Sequence, residues 1–224
     1  MRESKKTREE RLKRALTLLE AAYPDAKPQL EFNNAFELLI ATILSAQCTD
    51  KQVNKCTREL FQAYSTPEAF AALAEEELFP YIRGCGLYRT KGKHIIEAAR
   101  AIVEEFGGEV PKDRDVLMKL PGVGRKTANV VVSNAFGVDA IAVDTHVFRV
   151  ANRIGFAKAK DVLNTEKQLM QSIPKERWSR AHHYLIYHGR RICSARNPKC
   201  GECTLCAVCE DFIKRAGTKT PCNL

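Results

Sequence analysis

The stretch LPGVGRKTAN, residues 120–129, places two glycines two apart and a lysine two residues behind the second. With helical periodicity on both sides, it reads as a short helix, a Pro121-Gly122-Val123-Gly124 turn and a second helix from about Arg125. That is a compact helix–hairpin–helix. Glycine at 122 and 124 allows backbone geometry and close approach that a Cβ would obstruct. The N–H groups of the turn and of the first turn of the next helix are donors at a positive dipole end, so a phosphate fits there. The turn follows a helix rather than a strand, which separates it from a P-loop or a dinucleotide fingerprint and argues against a nucleotide cofactor. A plain αα-turn fits the same ten residues.

Lys126 has three readings. A solvent-facing lysine needs no explanation. A phosphate contact would add one salt-sensitive charge interaction. A nucleophile needs the neutral amine, and placement at a helix N-terminus with partial burial would favour that form.

Working outward, helical periodicity dominates. Leu12, Leu16 and Leu19 recur behind a basic face, and Phe36, Leu39, Ile40, Ile43 and Leu44 mark a helix over 35–46. Thr66-Pro67 predicts an N-cap and first helical residue for a helix through Leu73. Ile95, Ala99, Ile102, Val103 and Phe106 line another, stopped by Gly107-Gly108 and Pro111. Asp113 or Asp115 caps a short helix ending at Leu120. Alternating strand patterns are scarce, and AIAV at 140–143 is the nearest. The expected fold class is all-α.

The 224 residues carry 36 Lys and Arg against 27 Asp and Glu, a formal charge of +9. That balance favours a polyanionic partner, nucleic acid first and an acidic membrane surface second. No apolar run approaches the roughly 18 residues of a membrane span. The charged opening MRESKKTREERLKR leads into no apolar signal core, so the expectation is a cytosolic protein with reduced cysteines.

Nine cysteines then suggest metal where they cluster. Cys193, Cys200, Cys203 and Cys209 follow C-x6-C-x2-C-x5-C, with Cys206 inside the last interval. Four thiolates can hold one tetrahedral zinc or the corners of one iron–sulfur cube. The uneven spacing suits a bulky cluster better than a single ion, and Cys206 leaves a second ligand set open. Cys48, Cys56, Cys85 and Cys222 are dispersed and carry no expected role.

Asp144 in AVDTHVFRV reads first as the N-cap of a helix. A cap can still present its other oxygen to a site. A carboxylate beside an amine nucleophile suits attack on an anomeric carbon, stabilising oxocarbenium character or relaying protons.

LPGVGRKTAN, then VDTHVFR at 143–149, then the four-cysteine pattern, in this order, resemble bacterial endonuclease III. The resemblance extends from the first helix to Cys209. It implies an all-α, two-domain DNA repair enzyme that removes oxidised pyrimidines from double-stranded DNA and then cleaves at the abasic site. It implies a six-helix domain at 28–138 and a second domain from 1–27 and 139–224, with a DNA-binding cleft between them. Lys126 becomes the residue that attacks the anomeric carbon and forms a Schiff base, and Asp144 the catalytic carboxylate. Cys193, Cys200, Cys203 and Cys209 become the ligands of a [4Fe–4S] cluster.

By the same resemblance SAQCTD makes Gln47 the plug for the gap left by an extruded nucleotide, and CGLYRTK makes Leu87 the wedge in the duplex. Flipping a base costs a few kcal/mol of stacking, which an inserted side chain partly offsets. Gly122, Val123, Gly124, Arg125, Thr127 and His146 are implied as further DNA contacts, with Arg196 and Lys199 as the basic residues of the cluster loop. The partner is DNA carrying an oxidised pyrimidine or an abasic site, met by a monomer at the bacterial nucleoid. Departures from the pattern are the extra charged N-terminus, expected as a mobile basic arm, the fifth thiol Cys206, and Cys48 after Gln47. The alternatives are a monofunctional mismatch glycosylase and a non-catalytic iron–sulfur DNA-binding protein.

Overall fold

A computed structural model gives the fold and describes residues 3–216. Every regular element among the described residues is helical, as expected. The chain divides into two compact units, one spanning Pro28–Val138 and the other joining the chain up to Lys27 with the chain from Asp139 onward.

The continuous unit is built around α2, Ala35–Leu44, which buries every residue from Phe36 to Leu44. A helix apolar all round belongs at the centre of a fold, and each fully buried Leu or Ile here is worth about 1.5–3 kcal/mol. The one carboxylate in it, Glu37, is satisfied locally: it accepts from the Asn33 backbone N–H at 2.6 Å and the Asn33 side chain at 3.0 Å, while Asn34 accepts from the Glu37 N–H at 2.9 Å. Such reciprocal capping marks where α2 begins. Around it lie α3 (Asp50–Ala63), α4 (Pro67–Ala71), α5 (Glu75–Ile82), α6 (Tyr88–Phe106), α7 (Arg114–Leu117) and α8 (Arg125–Phe136).

Thr66 caps α4 through the Ala69 N–H at 3.2 Å, with Pro67 in the first turn. Gly107 ends α6 at φ 60°, and the Gly108 N–H returns to the Ile102 carbonyl at 3.0 Å. Of the two aspartates before α7, Asp113 is the cap, accepting from Asp115 and Val116 N–H. Regular helix stops at Leu117; turn hydrogen bonds from Lys119 and Leu120 continue the chain to the hairpin.

The other unit combines α1 (Lys5–Ala22) with α9 (Thr145–Ile154), α10 (Val162–Ser172), α11 (Trp178–Arg191) and α12 (Glu210–Ala216). Leu12, Leu16 and Leu19 pack with Val150, Ile154, Leu169 and Leu185 in one core. The described N-terminal segment is not an arm: Ser4 caps α1, and two of its basic residues, Arg8 and Arg11, are bound inward. Arg8 donates to the Gly155 carbonyl at 2.8 Å, and Arg11 donates to the carbonyls of Ile154 and Val208, each at 2.8 Å. Cations at the carbonyl end of α9 complement its dipole, so charge that reads as an arm is spent on a helix terminus. Residues 140–143 pair with no strand among the described residues; Ile141, Ala142 and Val143 are buried as an irregular segment.

Candidate nucleic-acid interface and metal centre

The hairpin takes the expected form. Gly122 has φ +75°, and a Cβ there would lie 2.9 Å from Cβ of His94 on α6. Two constraints, handedness and contact, therefore require glycine at this position. Gly124 is different: it caps α8 in extended conformation, and a Cβ there would meet nothing within 4 Å. No side chain caps α8. Val123 is buried, and its N–H donates to the Leu120 carbonyl at 3.1 Å, so it anchors the turn while both flanking glycines stay exposed.

Lys126 is the second residue of α8 and is exposed, not partly buried. The inward face of α8 is taken by Ala128, Asn129, Val131 and Val132, which leaves Lys126 on the outer side of the first turn. It has no hydrogen-bond or ion-pair partner among the described residues. Arg125 and Thr127 beside it are half-buried.

Among the described residues three that are not glycine have positive φ, and two of them are Gln47 (54°) and Leu87 (48°); the third is Asn197 (50°) in the cysteine loop. A left-handed non-glycine residue costs roughly 1–2 kcal/mol and persists only where its surroundings enforce it. Gln47 is exposed just beyond the end of α2, and Leu87, 63% exposed, caps the start of α6. An apolar side chain held in solvent at a strained residue is no core leucine. Cys48, Cys56 and Cys85, expected to be scattered, come together below these loops, with Cys85 in side-chain hydrogen-bond contact with both others and its thiol pushed well up by burial.

Asp144 is the N-cap of α9: Oδ1 accepts from the Val147 N–H at 2.7 Å, and the side chain remains half-exposed. Its second oxygen has no hydrogen-bond partner among the described residues. Lys126 thus belongs to the continuous unit and Asp144 to the other. His146, half-buried on α9, lies against Arg149 at 3.2 Å.

Cys193, Cys200, Cys203 and Cys209 line one cavity with Arg153, His188 and Leu205. Among the described residues no three His, Cys, Asp or Glu side chains converge as the ligands of one ion would; the thiols stand around a space. Nitrogen groups lie against three of the sulfurs. Arg153 donates to Cys193 Sγ at 3.4 Å and Arg215 to Cys200 Sγ at 3.9 Å, and His188 Nε2 is 3.6 Å from Cys203 Sγ. Burial pushes the Cys203 thiol up to about 11 and raises Cys209 as well. A metal binding such thiols displaces their protons to solvent and takes the thiolate form that burial alone disfavours. Cys206 is buried on the inner side of the same segment and is not one of the free thiols; Cys222 lies outside the described residues. Arg196 and Lys199 are exposed on the loop, Lys199 within 4.0 Å of Glu202.

Several supporting residues had no expected role. Arg149 donates to the carbonyls of Gly189 and Cys193, and Arg153 to those of Ser194 and Ala195, so two arginines one helical turn apart in THVFRVANR fix the entry to the cysteine loop. Their i, i+4 spacing was the available signal. His188, 2% exposed, is held between the Tyr23 hydroxyl at 2.9 Å and Cys203, and burial depresses its pKa to about 4.

The family model described as HhH-GPD superfamily base excision DNA repair protein matches residues 40–175. Endonuclease III of Bacillus subtilis (strain 168) is 55% identical over 194 residues, covering 86% of this chain and 89% of its own. Endonuclease III of Escherichia coli (strain K12) is 49% identical over 195 residues, covering 87% and 92%. A solved structure described as a trapped endonuclease III–DNA covalent intermediate, in an estranged-adenine complex, superposes with TM-score 0.88 at 52% identity, covering 92% of this chain and 98% of that one. By both measures, the chain belongs to the endonuclease III family of HhH-GPD superfamily base excision DNA repair proteins.

Proposed function

We propose that this protein is a bifunctional DNA glycosylase and abasic-site lyase that releases oxidised pyrimidines from double-stranded DNA. The observation that carries the reading is the placement of Lys126: an exposed amine on the open first turn of α8, two residues beyond the Gly122–Gly124 turn. The turn grips a backbone phosphate through its exposed N–H groups, and the lysine reaches the adjacent sugar. A relative trapped covalently on DNA supports the same chemistry.

In this reading the Lys126 amine bonds to C1′ as the glycosidic bond breaks, and the base departs with the bonding electron pair and a proton. Opening of the sugar ring gives a Schiff base. Removal of a 2′ proton then expels the 3′ phosphate by β-elimination, and water releases the lysine. Asp144 stabilises positive charge developing on the sugar and relays protons through the carboxylate oxygen that the cap does not use. Gln47 fills the vacated stack and Leu87 wedges the duplex, their strained backbones holding them in readiness. Arg125, Thr127, His146, Arg196 and Lys199 contribute DNA contacts. The protein acts as a monomer in the cytoplasm, at the nucleoid; among the described residues no helix is long and apolar enough to cross a membrane.

Cys193, Cys200, Cys203 and Cys209 would hold a [4Fe–4S] cluster, four thiols spread around a cavity being suited to the corners of a cube. When bound, the cluster would order the 193–209 loop that carries Arg196 and Lys199.

Borohydride reduces a Schiff base to a stable cross-link, so the protein is incubated with a duplex containing one oxidised pyrimidine and then reduced. A cross-linked complex that disappears in Lys126→Ala is expected. Absence of cross-linking on both this duplex and an abasic one would overturn the reading, and base release without cross-linking would point to a monofunctional glycosylase.

A further inference from the structure

Lys91 is the one buried lysine among the described residues, 5% exposed. A buried ammonium is expensive unless its donors are used. Here Nζ donates to the Leu44 carbonyl at 2.8 Å and to the Cys85 carbonyl at 2.5 Å. The first acceptor is the last residue of α2, where unsatisfied carbonyls and the negative dipole end favour a cation. The second lies two residues before Leu87. The backbone N–H of Lys91 also donates to the carbonyl of Leu87 itself, at 3.0 Å.

The Lys91 side chain therefore holds two carbonyls, the one from which the Gln47 loop departs and the one that leads into the Leu87 loop, while its backbone makes the first-turn bond of α6 to Leu87. Both loop tips are in the left-handed region, so each needs an external restraint. The Gln47 loop is otherwise closed by short-range bonds, Ser45 N–H to Ala41 and Cys48 N–H to Ser45. The Leu87 end of α6 has no side-chain cap. From this geometry we propose that Lys91 is a positioning residue for base extrusion, fixing the Gln47 plug and the Leu87 wedge relative to each other so that both enter the duplex together. The inference rests on the plug and wedge roles given above.

Its neighbours fit a structural cation. The Cys48, Cys56 and Cys85 thiols lie together at the joint, and burial raises the Cys85 thiol so that it stays protonated beside the ammonium. Burial also lowers the Lys91 pKa, while the two carbonyls bond only to a group that still carries N–H donors. Lys91 lies outside the hairpin and the chemistry, so its loss should act on extrusion and leave Schiff-base formation alone.

The test compares two DNA substrates for the intact protein. One is a fully paired duplex with an oxidised pyrimidine, which requires extrusion. The other carries an abasic site in a bulge, where no base must leave the stack. Lys91→Met is expected to slow base release from the paired duplex about tenfold, since extrusion costs a few kcal/mol, and to leave cleavage of the bulged substrate within about twofold. Because Lys91 acts through the wedge, Lys91→Met should add little to Leu87→Ala, the double variant staying within about threefold of the slower single. The proposal is overturned if paired-duplex release is unchanged, if both substrates slow by the same factor, or if the two effects multiply. Should Lys91→Met not fold, Lys91→Arg, which keeps donors for both carbonyls, must retain the paired-duplex rate to within about fivefold, and a larger loss overturns the proposal. If Gln47→Ala and Leu87→Ala themselves leave release unchanged, the plug-and-wedge reading fails and takes this inference with it. That outcome is distinct from one in which they slow release and Lys91→Met does not.

Discussion

The Gly122 backbone runs against the side chain of His94, so close that a Cβ on residue 122 would come within 2.9 Å of the histidine Cβ. Gly124, two residues on, faces open space. The two glycines of the hairpin therefore do different jobs, and alanine separates them. Gly122→Ala must take φ +75° and displace His94, which is expected to cost about 2–3 kcal/mol of stability in urea denaturation. Gly124→Ala should leave stability within about 0.5 kcal/mol, because its extended backbone suits any residue. The added methyl would stand on the exposed face of the turn, so DNA affinity should fall several-fold with no change in the denaturation midpoint.

Lys126 and Asp144 invite a matched set of substitutions. Lys126→Arg keeps a cation on an exposed first-turn position, so stability should stay within about 0.5 kcal/mol and binding to abasic DNA should persist. Guanidinium remains protonated, so borohydride cross-linking should vanish. For Asp144, the cap and the chemistry can be divided. Asn caps as well as Asp, so Asp144→Asn should retain the Val147 hydrogen bond and the stability while lowering the rate of base release. Asp144→Ala should lose the rate and a further 0.5–2 kcal/mol or so of stability. Equal rates for wild type and Asp144→Asn would leave the carboxylate a cap only.

Much of this was legible because the decisive features are local. A Gly-x-Gly turn between helices, an Asp before a helical stripe and a Thr-Pro cap are set by backbone rules within a few residues. The apolar run of 36–44, interrupted by Glu37 and Thr42, likewise announces a buried helix. What stayed hidden depends on long-range pairing. Nothing in MRESKKTREER says that Arg8 and Arg11 bind carbonyls some 140 residues away, so their charge read as an arm. Lys91 looks like any lysine on an amphipathic helix until the ends of α2 and the Leu87 loop are brought to it. Partial burial of Lys126 would have favoured the nucleophile reading, but Lys126 is exposed because alanine, asparagine and valines fill the inward face of α8.

His183 offers a pH readout. Burial, with His182 beside it, depresses its pKa from the usual histidine range to about 3. The unfolded chain binds a proton at this site below about pH 6.5, and the folded chain does not until near pH 3. Stability from this group is therefore present above pH 6.5 and is lost as pH falls through that window, by up to about 1.4 kcal/mol per pH unit. Urea midpoints measured at pH 7.5, 6.5 and 5.5 should drop on the acid side. His183→Gln should remove one proton's share of that slope; an unchanged slope would show that His183 is protonated in the fold.

The cysteine segment makes a prediction about which sulfurs bind. Cys193, Cys200, Cys203 and Cys209 line the cavity with free thiols, and donors from Arg153 and Arg215 reach Cys193 and Cys200. Cys206 also borders the space, yet it is buried and is not a free thiol. Alanine at any of the first four should abolish bound iron and the visible absorption of an iron–sulfur cluster, whereas Cys206→Ala should keep both. Zinc in place of iron in the purified protein would replace the cube by a single tetrahedral ion. Arg153→Met should leave the ligands intact while removing the N–H donor to Cys193 and the clamp on the carbonyls of Ser194 and Ala195. Outer hydrogen bonds of this kind are worth about 10–100-fold in metal affinity, so iron should be lost to a chelator faster than from wild type. Equal rates of loss would mean that the arginine shapes the loop without supporting the sulfur.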